Sequence, residues 1–165
     1  MDTAVEELVR QIIQTHPTLA KVVLIGLLPS GYLIAQRLQK RLQKTAEVLL
    51  PLGKMDVSLY RDDLSTGTQF VTIQPSEIPF DINKKKLILV DTVLTSGRTV
   101  QAALNGIQDF GRPATVELAV LIDRGFREMP LQPNFVGQHI KTRKRDKLEV
   151  RLFEIDGEDG IHVSP

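Results

Sequence analysis

The stretch from residue 87 to residue 122 constrains the fold more than any other. Leu87-Ile88-Leu89-Val90 is a continuous apolar run ending in Asp91, and Thr92-Val93-Leu94-Thr95-Ser96-Gly97-Arg98-Thr99 reads as a hydroxyl-rich loop after it. Val100, Ala103, Leu104 and Ile107 then fall on one helical stripe, and Val116 to Ile122 supplies the next strand. A short strand that is apolar on both faces needs a cover on both, as in a parallel sheet flanked by helices. Strand, loop, helix and strand in this order predict a right-handed crossover within an α/β fold. Gly111, with Pro113 close behind, is expected to end the helix in a left-handed cap.

An earlier unit has the same form. Lys21-Val22-Val23-Leu24-Ile25-Gly26 predicts a buried parallel strand, Leu27 to Gly31 a loop, and Leu33, Ile34, Ala35, Leu38 and Leu42 a helix. Val5, Leu8, Ile12 and Ile13 mark an amphipathic helix before Pro17, with Glu6 and Glu7 near its positive dipole end. Short strands are expected at Glu47 to Pro51 and at Met55 to Tyr60. Arg61 to Glu77 is polar and aperiodic, so a long mobile loop or a hairpin is expected there. Pro79 to Asn83 predicts a turn before the triplet Lys84-Lys85-Lys86, and Met129 to Pro133 is irregular. The alternation from Leu148 to Ile155 predicts a half-exposed antiparallel strand, and Asp156 to Gly160 a turn.

The 165 residues suit one domain spanning 1–165, and no internal repeat divides them. Twenty-one Lys and Arg against twenty Asp and Glu leave a net charge of +1, so attraction to a polyanion has to come from local clusters. Without cysteine, disulfides and thiolate chemistry are excluded. The acidic start lacks the pattern of a secretory signal, and no apolar run approaches the ~20 residues of a membrane span, so a cytoplasmic location without membrane contact is expected. His16, His139 and His162 lack ligand-like spacing, and no directly ligated metal is expected.

In a parallel α/β sheet, ligands bind beyond the carboxyl ends of the strands, where Asp91 to Thr99 falls. Gly97 permits close backbone approach, Thr95, Ser96 and Thr99 offer hydroxyls, and the next helix aims its amides and positive dipole end at the loop. These features describe a monophosphate cradle, with Asp91 placed to accept hydrogen bonds from sugar hydroxyls. The plainer reading makes Asp91 a turn residue and Thr99 a helix cap. Gly26 to Gly31 has the two-glycine spacing of a nucleotide-triphosphate loop, but Tyr32 and Leu33 stand where Lys and Ser or Thr are required.

Residues 87–99 resemble the phosphoribosyl-pyrophosphate motif of type I phosphoribosyltransferases, an apolar strand ending in two acids before a Thr-Gly-x-Thr-like loop. Asp56 to Ser65, Ile78 to Ile82, Gly111-Arg112-Pro113 and Leu118 to Glu128 extend the likeness toward the PyrR branch, pyrimidine-operon attenuators that also have uracil phosphoribosyltransferase activity. The resemblance implies a twisted parallel sheet flanked by helices with a small hood. It also implies a site for phosphoribosyl pyrophosphate (PRPP) or UMP, with Mg²⁺ accompanying PRPP. Val90, Asp91, Thr92, Val93, Leu94, Thr95, Ser96, Gly97, Arg98 and Thr99 would form the nucleotide-binding motif, with the 5-phosphate on Thr95 to Thr99 and the ribose on Asp91. Leu27, Leu28, Pro29, Ser30 and Gly31 would form the pyrophosphate loop, either proline isomer being compatible with it. Asp123, Arg124, Gly125, Phe126 and Arg127 would lie in the hood, with Arg61 and Arg124 as candidate diphosphate contacts.

Three departures stand out against that family. Thr92 replaces the second acid, the loop from Gly26 to Gly31 has no cation before its final glycine, and Phe126 stands where the PyrR branch has histidine. Weak or lost transferase activity is therefore expected, the alternatives being an active uracil phosphoribosyltransferase and a non-enzymatic oligomeric scaffold. The branch also implies a homodimer or higher oligomer that binds the leader of pyrimidine mRNA. Lys141, Arg143, Lys144, Arg145 and Lys147 are the candidate RNA cluster, although such a run is also how an edge strand stays solvated.

Overall fold

The computed structural model describes residues 1–61 and 74–165. In chain order the elements are α1 (Asp2–Thr15), β1 (Val22–Leu27), α2 (Ser30–Ala46), β2 (Leu52–Met55), a 3₁₀ turn (Ser58–Tyr60), β3 (Lys86–Leu94), α3 (Arg98–Ile107), β4 (Thr115–Asp123), β5 (Phe135–His139), β6 (Lys147–Arg151), α4 (Phe153–Asp156) and β7 (Gly160–Ser164). The first five strands form one parallel sheet in the order β2-β1-β3-β4-β5, and β6 and β7 pair antiparallel as a separate ribbon. The expected sheet and small hood are both present.

Period-two alternation divides the core. Ile88 and Val90 face α1 and α2, packing with Leu8, Ile12, Ile34 and Leu38, whereas Leu87 and Leu89 face α3 with Val100, Ala103 and Ile107. β3 therefore needs apolar residues at successive positions, and its continuous run meets that need. Chain order runs outward from β1 to β2 on one side and from β3 to β5 on the other. The carboxyl ends of β1 and β3 thus open onto the crevice where strand order reverses.

Several boundaries depart from the sequence reading. Residues 47–51 form no strand; the edge strand is Leu52–Met55, paired Leu24↔Leu52 to Leu27↔Met55 with β1, and Ser58–Tyr60 is a helical turn. β3 continues past Asp91 to Leu94 because β4 stays in register with it as far as Leu94↔Asp123, which shortens the expected loop to residues 95–97. The helix ends at Ile107 rather than at Gly111, whose φ of 145° lies outside the helical cap conformation and brings it against Ile82 and Asn83. The alternation from Leu148 to Ile155 is a strand only to Arg151, since Leu152 and Asp156 close a short helical turn. The expected loop or hairpin at 61–77 falls largely outside the described residues.

Among the described residues no helix is long and apolar enough to cross a membrane.

Candidate functional site

The carboxyl end of β3 and the turn into α3 enclose a small pocket of about 210 Å³ lined by Arg61, Asp91, Val93, Leu94, Thr95, Ser96, Gly97, Thr99 and Val100. Larger grooves lie elsewhere, one of about 750 Å³ between α1 and α2, but the convergent polar groups are here. Gly97 caps α3 at φ 91°, a left-handed conformation that turns the chain from strand to helix within three residues. Among the described residues the amides of Ser96, Gly97 and Thr99 donate to no protein acceptor, and the α3 dipole adds its positive end. That arrangement binds an oxyanion.

The reverse side of the turn is held by the hood segment. Ser96 O accepts the amides of Glu128 and Met129, both at 2.9 Å, and Leu94 O accepts the Arg124 amide at 3.1 Å. Arg127 ties the two segments further: Nη1 donates to Thr95 O at 3.1 Å, Nε to Leu131 O at 3.1 Å, and its guanidinium meets Asp123 at 2.7 Å. Burial pushes the Asp123 carboxyl up, but Arg127 and the Gly125 amide outweigh it and hold the group below the usual carboxylate range. With the turn's carbonyls bonded to the hood, its amides are left to face the pocket.

A side chain at residue 97 would project behind the turn and not into the cradle. A Cβ there would meet Met129 Cβ at 3.2 Å and Leu131 Cδ1 at 3.3 Å, behind the turn. Gly97→Ala should therefore act through backbone strain and displacement of residues 129–131. A lowered melting temperature together with at least a ~tenfold loss of phosphate-ligand affinity is expected, checked by thermal melting and calorimetry.

Asp91 and Thr92 point to opposite faces of β3. The Asp91 carboxyl lines the pocket and accepts the Thr92 amide at 2.7 Å. Burial drives its pKa up to about 6, with the Thr92 amide and the Arg61 charge opposing the rise. Thr92 is 4% exposed, and its hydroxyl donates to Ser30 Oγ at 2.8 Å, across the crevice at the start of α2. Gly31 packs there so closely that a Cβ would lie 2.6 Å from Val90 O. Leu28-Pro29, the approach to this contact, is a cis peptide.

The family model described as phosphoribosyl transferase domain matches residues 1–164. A protein named Bifunctional protein PyrR from Halalkalibacterium halodurans is 40% identical over 162 residues, covering 97% of this chain and 90% of the relative. Another of that name from Desulfosudis oleivorans is 44% identical over 165 residues, covering 99% and 91%. The chain belongs to the PyrR branch of the phosphoribosyltransferases. Its fold is shared with the hypoxanthine phosphoribosyltransferase of Trypanosoma cruzi (TM-score 0.72, 18% identity, covering 98% of this chain and 90% of that one). A hypoxanthine-guanine phosphoribosyltransferase from Bacillus anthracis also shares it (TM-score 0.65, 18% identity, 88% and 82%).

The structure brings together Asp91, Val93, Leu94, Thr95, Ser96, Gly97, Thr99 and Arg61 of the residues that the phosphoribosyltransferase motif implies. It turns others away. Val90 is buried in the core, Arg98 pairs with Glu128 at 2.9 Å, and Leu27 is buried at the end of β1. Arg124 binds the hood through Thr142 Oγ1 at 3.1 Å and the Asp146 carbonyl at 2.7 Å, with its guanidinium 5.6 Å from the Phe126 ring centroid. Lys141, Arg143, Lys144, Arg145 and Lys147 are exposed between β5 and the start of β6, on the segment that Arg124 braces. Sequence reasoning missed Glu128, Met129 and Leu131, which lie in an aperiodic segment and owe their role to long-range bonds. It also named Thr92 and Ser30 separately, with nothing to mark them as partners.

Proposed function

We propose that this PyrR-branch chain binds PRPP or a pyrimidine nucleotide such as UMP at residues 91–99, and that it regulates pyrimidine gene expression with weak or absent uracil transfer. The observation that carries this reading is the outward-facing turn at 95–99 beside Asp91. Its amides and hydroxyls suit a 5-phosphate, and the carboxylate one strand-end away suits ribose hydroxyls. Transfer of the ribosyl group needs no covalent nucleophile. The protein has to orient the ribose carbon, exclude water and stabilise the departing diphosphate.

Weak transfer is supported by the Thr92–Ser30 pair. Two positions where the family uses charge are here joined as a neutral hydroxyl pair, which leaves no cation on the loop toward a leaving diphosphate. Among the described residues no cluster of three acids or histidines could hold a metal, and Asp91 is the only carboxylate lining the pocket. A carboxylate beside the phosphate-binding turn suits Mg²⁺ carried in with PRPP.

An active transferase is the second reading, favoured by Arg61, which lines the same pocket and supplies a cation there. Calorimetry with Mg²⁺-PRPP and a uracil turnover assay separate the two. Binding with turnover far below ~1 per second is expected, turnover at or above that rate would establish the second reading, and no heat would leave only a scaffold. For regulation, the exposed cluster at 141–147 is the proposed contact for mRNA leader, and the subunit is proposed to act as a homodimer or higher oligomer. UMP should change RNA affinity at fixed salt, and equal affinities with and without it would remove the coupling.

A further inference from the structure

Asp56 belongs to a stretch that resembles the PyrR branch, yet it does not line the pocket. Both of its carboxylate oxygens are committed to backbone. Oδ1 accepts the Ser58 amide at 2.8 Å, and Oδ2 accepts the amide of Gln74, 18 residues further along, at 2.5 Å. The Asp56 amide in turn donates to Ser76 Oγ at 2.9 Å. Beside it, Lys54 and Glu77 exchange two backbone bonds at 2.9 Å and an ion pair at 3.0 Å. Residues 74–77 are thereby fastened along the end of β2 and the 3₁₀ turn that follows it. Burial pushes the Asp56 carboxyl up, but hydrogen bonds from Ser58 and Gln74 outweigh it and hold the group below the usual carboxylate range. It is charged at neutral pH, which makes these bonds charge-assisted.

The other end of the turn is fastened to α3. The Tyr60 hydroxyl donates to Asp109 Oδ2 at 2.5 Å, just past the end of the helix. The Tyr60 ring lies on Gly106, where a Cβ would stand 2.8 Å from Cε2 of the ring, so glycine keeps the seat open. Val57, at the start of the turn, is buried in the cluster that includes Val100 and Ala103 of the same helix. Thus α3 carries the phosphate-binding turn at its amino end and the seat of Tyr60 at its carboxyl end. Arg61 follows directly in extended conformation (φ −88°, ψ 126°), and its side chain lines the pocket. Its charge acts on Asp91 there.

A long cationic side chain loses rotamer freedom when it meets a ligand group, and a stem fixed beforehand reduces that cost. Asp56 and Tyr60 supply two separate fastenings to the few residues before Arg61, and neither lines the pocket themselves. We propose that Asp56 and the Tyr60–Asp109 contact are positioning groups that hold Arg61 against the cradle, where Arg61 meets the diphosphate of PRPP. The proposal rests on the reading of residues 91–99 as a phosphoribosyl site. The amides of the turn serve the 5-phosphate, and Arg61, the one cation lining the pocket among the described residues, is left for the other charged end of the ligand. UMP has no diphosphate and makes no such demand.

Calorimetry with Mg²⁺-PRPP and with UMP tests this on the full chain. Asp56→Asn can keep the bond from Ser58 but puts an NH₂ group where the Gln74 amide needs an acceptor. It should weaken PRPP binding by at least ~tenfold and leave UMP affinity within about twofold of the parent. Arg61→Gln should show the same selective loss. The double variant D56N/R61Q should bind PRPP no more weakly than R61Q alone, because Asp56 acts through Arg61. Asp109 is exposed, so little stability is at stake there. Asp109→Ala should lose PRPP affinity by about threefold or more with UMP unaffected, whereas Asp109→Asn, which still accepts the Tyr60 hydroxyl, should bind as the parent does. Equal losses for PRPP and UMP in D56N, or additive losses in D56N/R61Q, would overturn the positioning role. Parent-like PRPP binding by R61Q would overturn the assignment of Arg61. Each of those results leaves UMP binding by the parent chain intact, whereas a parent chain that binds neither ligand would overturn the reading of 91–99 and this proposal with it.

Discussion

Replacing Asp91 with Asn should weaken PRPP binding at neutral pH by about a hundredfold or more while making the folded chain more stable. The affinity loss follows from chemistry at the pocket. A carboxylate accepts from two ribose hydroxyls at once, and charge-assisted hydrogen bonds of this kind are worth ~1.5–3 kcal/mol each. The stability gain follows from linkage. Burial lifts the folded-state pKa of Asp91 to about 6, above its ordinary 3.8. Below pH ~4 both folded and unfolded chains hold the proton and the residue is neutral in either state. Between the two values the folded state keeps a proton that the unfolded state has released, so stability falls as pH rises through this window. Above pH ~6 the full penalty of about 3 kcal/mol applies, and Asn, which keeps the bond from the Thr92 amide, is free of it. Urea denaturation from acid to neutral pH should show parent and variant coinciding at the acid end and diverging as pH rises from ~4 to ~6. In calorimetry, PRPP affinity of the parent chain should fall as pH drops below ~6, because the protonated carboxyl loses acceptor capacity. A variant that is less stable at neutral pH, or that binds as tightly as the parent, would refute the assignment of Asp91 as a buried ribose acceptor.

How far the sequence alone could lead is best seen strand by strand. β1, β3 and β4 are covered on both faces, and burial on both faces writes itself as an uninterrupted apolar run. The edge strands have no such signature. β2 contains Gly53 and Lys54, with Lys54 paired to Glu77 at 3.0 Å, and β5 contains Gly137, where a Cβ would lie 2.7 Å from Leu121 O and 2.8 Å from Ala4 O. That glycine is required by α1 crossing above the strand, a demand from residues more than a hundred positions away. The cradle was legible because a turn from strand to helix has local chemistry: Gly97, the hydroxyls around it and an acid at the strand end. Its support was not. Bonds from Arg127, Glu128 and Met129 to the carbonyls of 95 and 96 depend on where the hood returns, and no periodicity in residues 124–131 records it.

Restoring charge at positions 30 and 92 together should raise uracil transfer by about a hundredfold or more, whereas either change alone should not. Thr92→Asp alone would place a carboxylate at a 4%-exposed position whose side-chain partner among the described residues is the Ser30 hydroxyl, an uncompensated charge that lowers stability by a few kcal/mol. Ser30→Arg alone would strand the buried Thr92 hydroxyl, at ~1–3 kcal/mol. In the double variant a guanidinium and a carboxylate replace two hydroxyls that now touch at 2.8 Å, so each new charge has a counter-charge within reach. The cation then stands at the crevice between β1 and β3, beside the pocket that holds Asp91 and Arg61. A preorganised cation facing a departing diphosphate is worth ~3–4 kcal/mol in the transition state, which is two to three powers of ten in rate. The double-mutant cycle separates this coupling from simple addition, because the two sites touch and their effects cannot be independent. Steady-state turnover with Mg²⁺-PRPP and uracil, read beside PRPP affinity, supplies both axes. Coupled gains in turnover with little change in affinity would locate the deficit in stabilising the leaving group. A double variant no faster than the better single would mean that the hydroxyl pair is not what limits transfer in this chain.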